Sequence, residues 1–341
     1  MDAVLLSKDR MVQWERYLQT SPHATFAHAL GWRSVVEKTY HHIPYYLMAM
    51  DGGSVEGLLP LFLVRSWIFG RFLATAPYLS YGGLLAKDST TAGVLVDAAR
   101  ELAMEERAKY VEIRGFHKIN HGLQLKDKYC TYLLPLDSDP EVVWTRLEHR
   151  ARKAVRKAMK CGLAVERGSH FLGDFVEVVS RLMRDLGTPF HGEPFYRNIL
   201  EEFADRAEIF MVRHRDGFIG GGLTVVFKET LVWPYGGCLK AYRGLAGMNL
   251  LTWEIIRYGC QRGAAYLDFG RSQWDSGTAL FKRQWGAQPV PLFYEYYLGD
   301  GAKMPDVDPT NPRYRLLIAA WRRLPLCLTK AIGHFVIRNI V

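Results

Sequence analysis

Chemistry in this sequence has to come from clustered cations and a few isolated carboxylates and histidines. From Arg146 to Lys160 there are seven basic residues and one acid. Advancing about 100° per residue places Arg146, Arg150, Lys153, Lys157 and Lys160 in a stripe about 80° wide, with Arg152 and Arg156 adjoining it. Leu147, Ala151, Ala154, Val155, Ala158 and Met159 take the opposite arc. A solvated helix face usually mixes lysine with glutamate at i,i+4; here like charges repel, and an anion lying against them would relieve the repulsion. A polyphosphate, an RNA backbone or an anionic lipid headgroup satisfies such a stripe equally.

The second group is the run Tyr266-Leu267-Asp268-Phe269-Gly270-Arg271-Ser272, which reads as a strand emerging into a glycine turn, where α/β folds place functional groups. Asp268 and Arg271 can reach a cleft from there, or neutralise each other as a structural pair. Shortly afterwards, Gly277-Thr278-Ala279-Leu280-Phe281-Lys282-Arg283-Gln284-Trp285-Gly286 sets a lysine among aromatic residues. The pair His41-His42 makes a poor metal site, since neighbours on a strand point to opposite faces, and no metal is expected. No phosphate-binding loop, His-Glu-x-x-His motif or Gly-x-Ser-x-Gly elbow is present.

The elements that must carry these groups alternate helix and strand. Thr25 to Lys38 reads as a helix; Tyr45 to Met50 and Gly57 to Val64 read as a hairpin around Asp51-Gly52-Gly53-Ser54. A helix at Thr91 to Arg107 leads to a strand at Tyr110 to Arg114. After a strand at Leu133 to Leu136, one long helix is expected from Glu141 to Lys160, stopped by Gly162. The second half repeats the order, with a helix at Leu172 to Leu186, strands at Glu208 to His214, Gly221 to Phe227 and Thr230 to Tyr235, a helix at Met248 to Arg262 and strands at Tyr266 to Phe269 and Leu292 to Leu298.

At 341 residues, with 49% hydrophobic and 23% charged residues, the chain has the size and composition of two globular domains. No apolar run approaches the roughly 18 residues of a membrane span, and the first residues carry no signal-peptide core, so cytoplasmic synthesis is expected. Five cysteines without a close pair argue against a disulfide framework. The net charge of +9 favours an anionic partner. A DNA-binding regulator lacks its signatures.

The pairing of the Asp268-Phe269-Gly270-Arg271-Ser272 strand end with Gly277-x-x-x-Phe281-Lys282-x-x-Trp285-Gly286 resembles the second domain of FemAB-type transferases of the GNAT superfamily, particularly the branch associated with exosortase and PEP-CTERM systems. The likeness covers residues 130 to 298, including Arg152 to Lys160, Gly187-Thr188-Pro189-Phe190-His191 and Trp233 to Gly237. Tyr78 to Leu85 and Glu112-Ile113-Arg114 resemble the first domain more weakly. It implies an α/β chain of tandem GNAT-like domains, each a mixed, mostly antiparallel sheet flanked by helices, at 1–135 and 136–299. A linker and basic helical tail at 300–341 would follow, packing back on the first domain or on an anionic membrane at the inner face of the cytoplasmic membrane.

The resemblance further implies transfer of an acyl or aminoacyl group from a phosphate-bearing donor, acyl-CoA or aminoacyl-tRNA, to an amine, with no cofactor bound permanently. The acceptor would be an envelope intermediate, saccharide or lipid-linked. Lys282 is placed at the acyl-transfer site, where a cation stabilises the carbonyl oxygen as an amine attacks. Asp268 and His191 are candidates for taking the amine's proton. Arg271, Ser272, Phe281 and Tyr235 are candidate substrate contacts, as are Arg152, Arg156 and Tyr81. The CoA-binding turn of GNAT enzymes corresponds to Arg243-Gly244-Leu245-Ala246-Gly247-Met248-Asn249, in which only one of the two small positions is matched. Gly244 and Gly247 can still expose backbone donors, with Arg243 and Asn249 beside them. The donor stays open, and a noncatalytic RNA- or membrane-binding protein is the alternative of a different class.

Overall fold

The computed structural model describes residues 1–215, 217–305 and 312–340. The chain divides into two α/β units. The first contains β1 (Asp2–Leu5), α1 (Met11–Thr20), α2 (Leu30–Tyr40), β2 (Ile43–Asp51), β3 (Ser54–Ser66), β4 (Gly70–Thr75), β5 (Leu85–Ala86), α3 (Ser89–Glu105), β6 (Tyr110–Gly115) and the start of β7 (Gln124–Pro135). Its sheet runs β1-β2-β3-β4-β6, antiparallel except for the β4–β6 pair. Leu59, Leu61 and Leu73 meet Leu95 and Ala99 of α3 on one face. That burial is the alternation of β3 read directly, since β-branched and leucine side chains two apart share a face.

The second unit begins within β7 at Cys130 and contains α4 (Pro140–Arg146), α5 (His149–Lys160), β8 (Leu163–Arg167), α6 (Leu172–Leu186), α7 (Glu193–Phe203), β9 (Ala207–His214), β10 (Gly217–Phe227), β11 (Thr230–Cys238), α8 (Gly247–Gln261), β12 (Tyr266–Gln273) and α9 (Gly277–Arg283). The strand order is β7-β12-β11-β10-β9-β8. The β11–β12 pair is parallel, with α8 as the crossover, and β8, β9, β10 and β11 are antiparallel. Val155, Leu251, Ile255, Leu267 and Trp285 lie in its core. The last strand, β13 (Gln288–Leu298), returns to the first unit, where Phe293 to Leu298 pair antiparallel with Gly115 to Tyr110.

The helix expected from Glu141 to Lys160 is two helices. Leu147 and Glu148 are extended, with ψ of 146° and 145°. Leu147 is drawn into the core at 3% exposure, and its removal from the helical path starts α5 afresh at His149. Arg146 thereby leaves the stripe and faces Asp137 at 3.8 Å. Helix α7 and the short α9 are absent from the sequence reading.

The tail forms α10 (Pro312–Arg323) and α11 (Leu326–Ile337). These pack on α6 of the second unit, where packing on the first domain or on a membrane was expected. Lys330 Nζ donates to Glu177 Oε2 at 2.9 Å and Arg322 Nη2 to Leu186 O at 3.1 Å. The residues from Arg338 join the first unit. Part of the expected linker, residues 306–311, lies outside the described residues. Among those described, no helix is long and apolar enough to cross a membrane.

Segment 76–84 of the first unit has no regular structure, yet three of its carbonyls are each bonded by a buried side chain. Arg114, 3% exposed, forms two bonds of 3.0 Å to Glu112 and a third, also 3.0 Å, to Leu79 O. Tyr294 Oη donates to Ser80 O at 2.6 Å, and His28 Nε2 donates to Gly83 O at 2.9 Å. Tyr81 packs on Phe116 at 4.4 Å beside His28. Buried charges such as Glu112 and Arg114 are tolerable only when paired and fully bonded, as these are.

Candidate functional site

A single cavity of about 1220 Å³ in the second unit gathers many of the residues singled out in the sequence. Its size exceeds the roughly 300–1,000 Å³ common for small-molecule sites, leaving room for an extended ligand. It opens where strand pairing is disturbed. Between Leu223↔Tyr235 and Val225↔Val232 the register slips, so Trp233 and Pro234 together oppose Thr224. This is a β-bulge, and Pro234, which has no N–H to offer a ladder, is suited to it. Beyond the bulge the facing of β11 reverses: Trp233 lines the cavity, whereas Tyr235 packs against His191 and Phe195 at 5.5 Å and 5.4 Å between ring centres.

The floor continues as glycine. Gly221 and Gly222 pair with Gly237 and Gly236, and a Cβ at Gly236, whose φ is 141°, would stand 2.3 Å from Gly221 O. No side chain fits there, so the floor is bare backbone. Cys238 lines the same wall, but burial pushes its thiol up to about 12, leaving it an unreactive neutral group.

Part of the cavity lining is cationic. The loop after β11 contributes Lys240, Arg243 and Gly244, then α8 begins with Gly247, Met248 and Asn249. All four residues expected at the donor turn, Arg243, Gly244, Gly247 and Asn249, therefore line it. The start of a 15-residue helix also brings the positive end of its dipole there. Arg150 and Lys157 of α5 line the same cavity. Ala151, Val155 and Ala158 are fully buried and fix that orientation. Arg152 and Arg156, the two α5 residues expected at the substrate, do not line it; Arg156 lies over the Trp144 ring at 5.6 Å. The two α5 cations that line the cavity, Arg150 and Lys157, are seven apart on one face of the helix.

Another part of the lining comes from β12 and α9. Ser276 caps α9, accepting from Ala279 N at 3.2 Å. From the last turn Lys282, 8% exposed, reaches back to the strand. Its Nζ donates to Gly270 O at 2.6 Å, Arg271 O at 3.1 Å and Ser272 Oγ at 2.9 Å, and lies 5.6 Å from the Tyr132 ring centre. Burial lowers Lys282 to about 8, opposed by the charge of Asp268. Three acceptors match the three protons of an ammonium and hold that form. Ser272 Oγ in turn donates to Thr278 Oγ1 at 3.1 Å, and Thr278, Phe281 and Lys282 line the cavity.

The remaining expectations resolve differently. Phe269 lines the cavity, so Asp268, one residue earlier on the strand, faces the other way. It is fully buried, accepting from Thr131 Oγ1 at 2.5 Å and Gly270 N at 2.8 Å, which makes it a brace for the glycine turn. His191 stacks on Phe195 at 4.3 Å and is held down to about 3 by burial, and it too does not line the cavity. Arg271 contributes its carbonyl to Lys282 while its side chain is exposed. Tyr81 belongs to the first unit. Neither Asp268 nor His191 therefore lines the cavity. Trp233 and Thr278, which fall inside stretches that the resemblance covers, also line the cavity without having been named as site residues, as does Lys240.

Residues 145–283 match the family model described as Acetyltransferase (GNAT) domain. A comparison with curated protein sequences returns no match. Among solved structures, the crystal structure of FemX aligns with a TM-score of 0.68 at 15% identity, over 93% of this chain and all of that one. A tandem GNAT protein from the clavulanic acid biosynthesis pathway gives 0.59 at 13%, over 89% and 99%. The C-terminal domain of a putative lysylphosphatidylglycerol synthetase from Agrobacterium fabrum gives 0.58 at 12%, over 86% and 93%. The fold is thus the tandem GNAT-like α/β fold expected from the sequence.

Proposed function

We propose that this chain transfers an acyl group from an activated, phosphate-bearing donor to an amine, and that the donor lies in the cavity of the second unit. One observation carries the reading: one cavity is lined both by a phosphate-suited group, Lys240, Arg243, Arg150, Lys157 and the start of α8, and by Lys282. The match of residues 145–283 to a GNAT acetyltransferase domain supports the same chemistry. Acyl-CoA is the donor that this arrangement suits best, because its pyrophosphate would sit on helix N–H groups and arginine while its thioester reaches Lys282.

In this mechanism the acceptor nitrogen attacks the thioester carbonyl, forming a C–N bond and a tetrahedral oxyanion. Lys282 exchanges one of its three protein acceptors for that oxygen, and its charge stabilises it in a water-poor site. Collapse breaks the C–S bond, and the amine's proton passes to the departing thiolate, so no protein base is required. Ser272 and Thr278 orient Lys282 through their hydroxyls.

An aminoacyl-tRNA donor is the second reading, favoured by Lys153, Arg156 and Lys160, which are exposed on α5 beyond the cavity. The lipid- or saccharide-linked envelope acceptor, the exosortase-associated branch and a place at the inner membrane face belong to the proposal as well. Thermal stabilisation by CoA, acetyl-CoA, charged tRNA and uncharged tRNA separates the donors, since a ligand bound to the native state raises its Tm. A saturable shift with acetyl-CoA supports the first reading. A shift confined to charged tRNA replaces it with the second, and no shift with any of them removes the cavity as a donor site.

A further inference from the structure

The hairpin joining β3 to β4 presents an apolar tip to solvent: Trp67 is 76% exposed and its neighbour Ile68 40%. Single exposed apolar residues are ordinary, but an adjacent tryptophan and isoleucine on a rigid turn are not. The turn is fixed from within by two buried polar residues, Ser66 and Asn339. Ser66 Oγ donates to Asn339 O at 3.1 Å and accepts from Ile68 N at 3.1 Å and Phe69 N at 3.0 Å. Trp67 N donates to Asn339 Oδ1 at 3.0 Å. With the backbone so committed, the two side chains project outward.

Cations crowd the same tip. Ile68 and Phe69 line a concavity of about 590 Å³ together with Arg107, Lys109 and Lys303, against one acid, Asp300. Lys109 crosses the hairpin so closely that a Cβ at Gly70, whose φ is 80°, would lie 2.9 Å from its Nζ. Arg65 is exposed at the base.

We propose that the Ser66–Gly70 hairpin docks the protein on a bilayer containing anionic phospholipid. Trp67 and Ile68 enter the interfacial layer, and Arg107, Lys109 and Lys303 receive lipid phosphates. The amphipathic indole suits headgroup depth, and each cation near such a surface strengthens binding about five-fold. An apolar protein partner would use Trp67 and Ile68 without needing three cations beside them; a phosphate-dense surface uses both. The hairpin belongs to the first unit, so this inference stands or falls apart from the acyl-transfer reading.

The test is sedimentation of the full chain with vesicles of phosphatidylcholine, with and without phosphatidylglycerol. Binding should require phosphatidylglycerol, weaken with salt, and fall at least about ten-fold in both Trp67→Ser/Ile68→Ser and Arg107→Gln/Lys109→Gln, with Tm unchanged. Brominated lipid should quench a tryptophan component that Trp67→Phe lacks. Equal binding by wild type and Trp67→Ser/Ile68→Ser, or no binding to anionic vesicles, overturns the proposal. Self-association that depends on Trp67 in the absence of lipid would overturn it in favour of a contact between copies.

Discussion

Lys282 Nζ lies 2.6 Å from the carbonyl oxygen of Gly270, tying the last turn of α9 to the strand end on which the cavity wall is built. This bond gives the lysine two tasks, holding Gly270 to Ser272 in place and carrying charge at the cavity.

Removing both tasks should be visible separately. Lys282→Ala should lower turnover about 10²–10³-fold, as loss of an oxyanion donor does, and cost about 1–3 kcal/mol of stability through the acceptors left unpaired. Steady-state rates and denaturant unfolding on the same preparations check this. Normal turnover by a folded Lys282→Ala protein removes Lys282 from the chemistry.

The charged form of Lys282 is the active one in the proposed mechanism, and burial brings its pKa down to about 8. The ammonium is lost as pH rises through that value, whereas arginine keeps its charge. The ratio of wild-type to Lys282→Arg turnover should therefore fall above about pH 8, measured with one donor and one acceptor across the range. A ratio that climbs instead would assign the neutral amine a role as base.

Arg150 and Lys157 line the cavity, while Arg152 and Arg156 do not. Arg150→Ala/Lys157→Ala should weaken donor binding about 5- to 30-fold and flatten its salt dependence, and Arg152→Ala/Arg156→Ala should change it little. Calorimetric titration at two ionic strengths distinguishes the pairs. The reverse ranking would place the donor on the outer arc of α5.

His28 is 1% exposed, with Nε2–H donating to Gly83 O and Nδ1 accepting from Thr25 N at 3.0 Å. Burial holds the ring down to about 4, outweighing the Gly83 and Thr25 carbonyls that favour its charged form. The unfolded chain protonates first as pH falls below about 6.5, so the stability linked to His28 is complete above that pH and is lost as pH falls toward 4, by about 3 kcal/mol. Buried His42, also held down to about 4, adds to the same trend. Unfolding free energies should fall over this window, and His28→Gln should reduce the slope.

Part of the cavity lining was legible because charge periodicity and short motifs are local. The cationic face of α5 was readable from its own residues and the Arg243–Asn249 turn from its resemblance to the GNAT turn, and both contribute residues to the cavity lining. Tyr235 was not, since its direction depends on a bulge that appears only when β11 is paired with β10. Asp268 looked like a cleft residue at a strand end; the alternation that turns it inward is fixed by Thr131, 137 positions earlier. The break at Leu147 was equally hidden, because helical periodicity continues through it and only the core decides which residue it claims.

Segment 76–84 would be taken for an easily cut loop, yet opening it means freeing Leu79, Ser80 and Gly83 from Arg114, Tyr294 and His28 together. Its resistance to a protease should consequently match that of the neighbouring strands, and nicking there should report unfolding of the whole first unit.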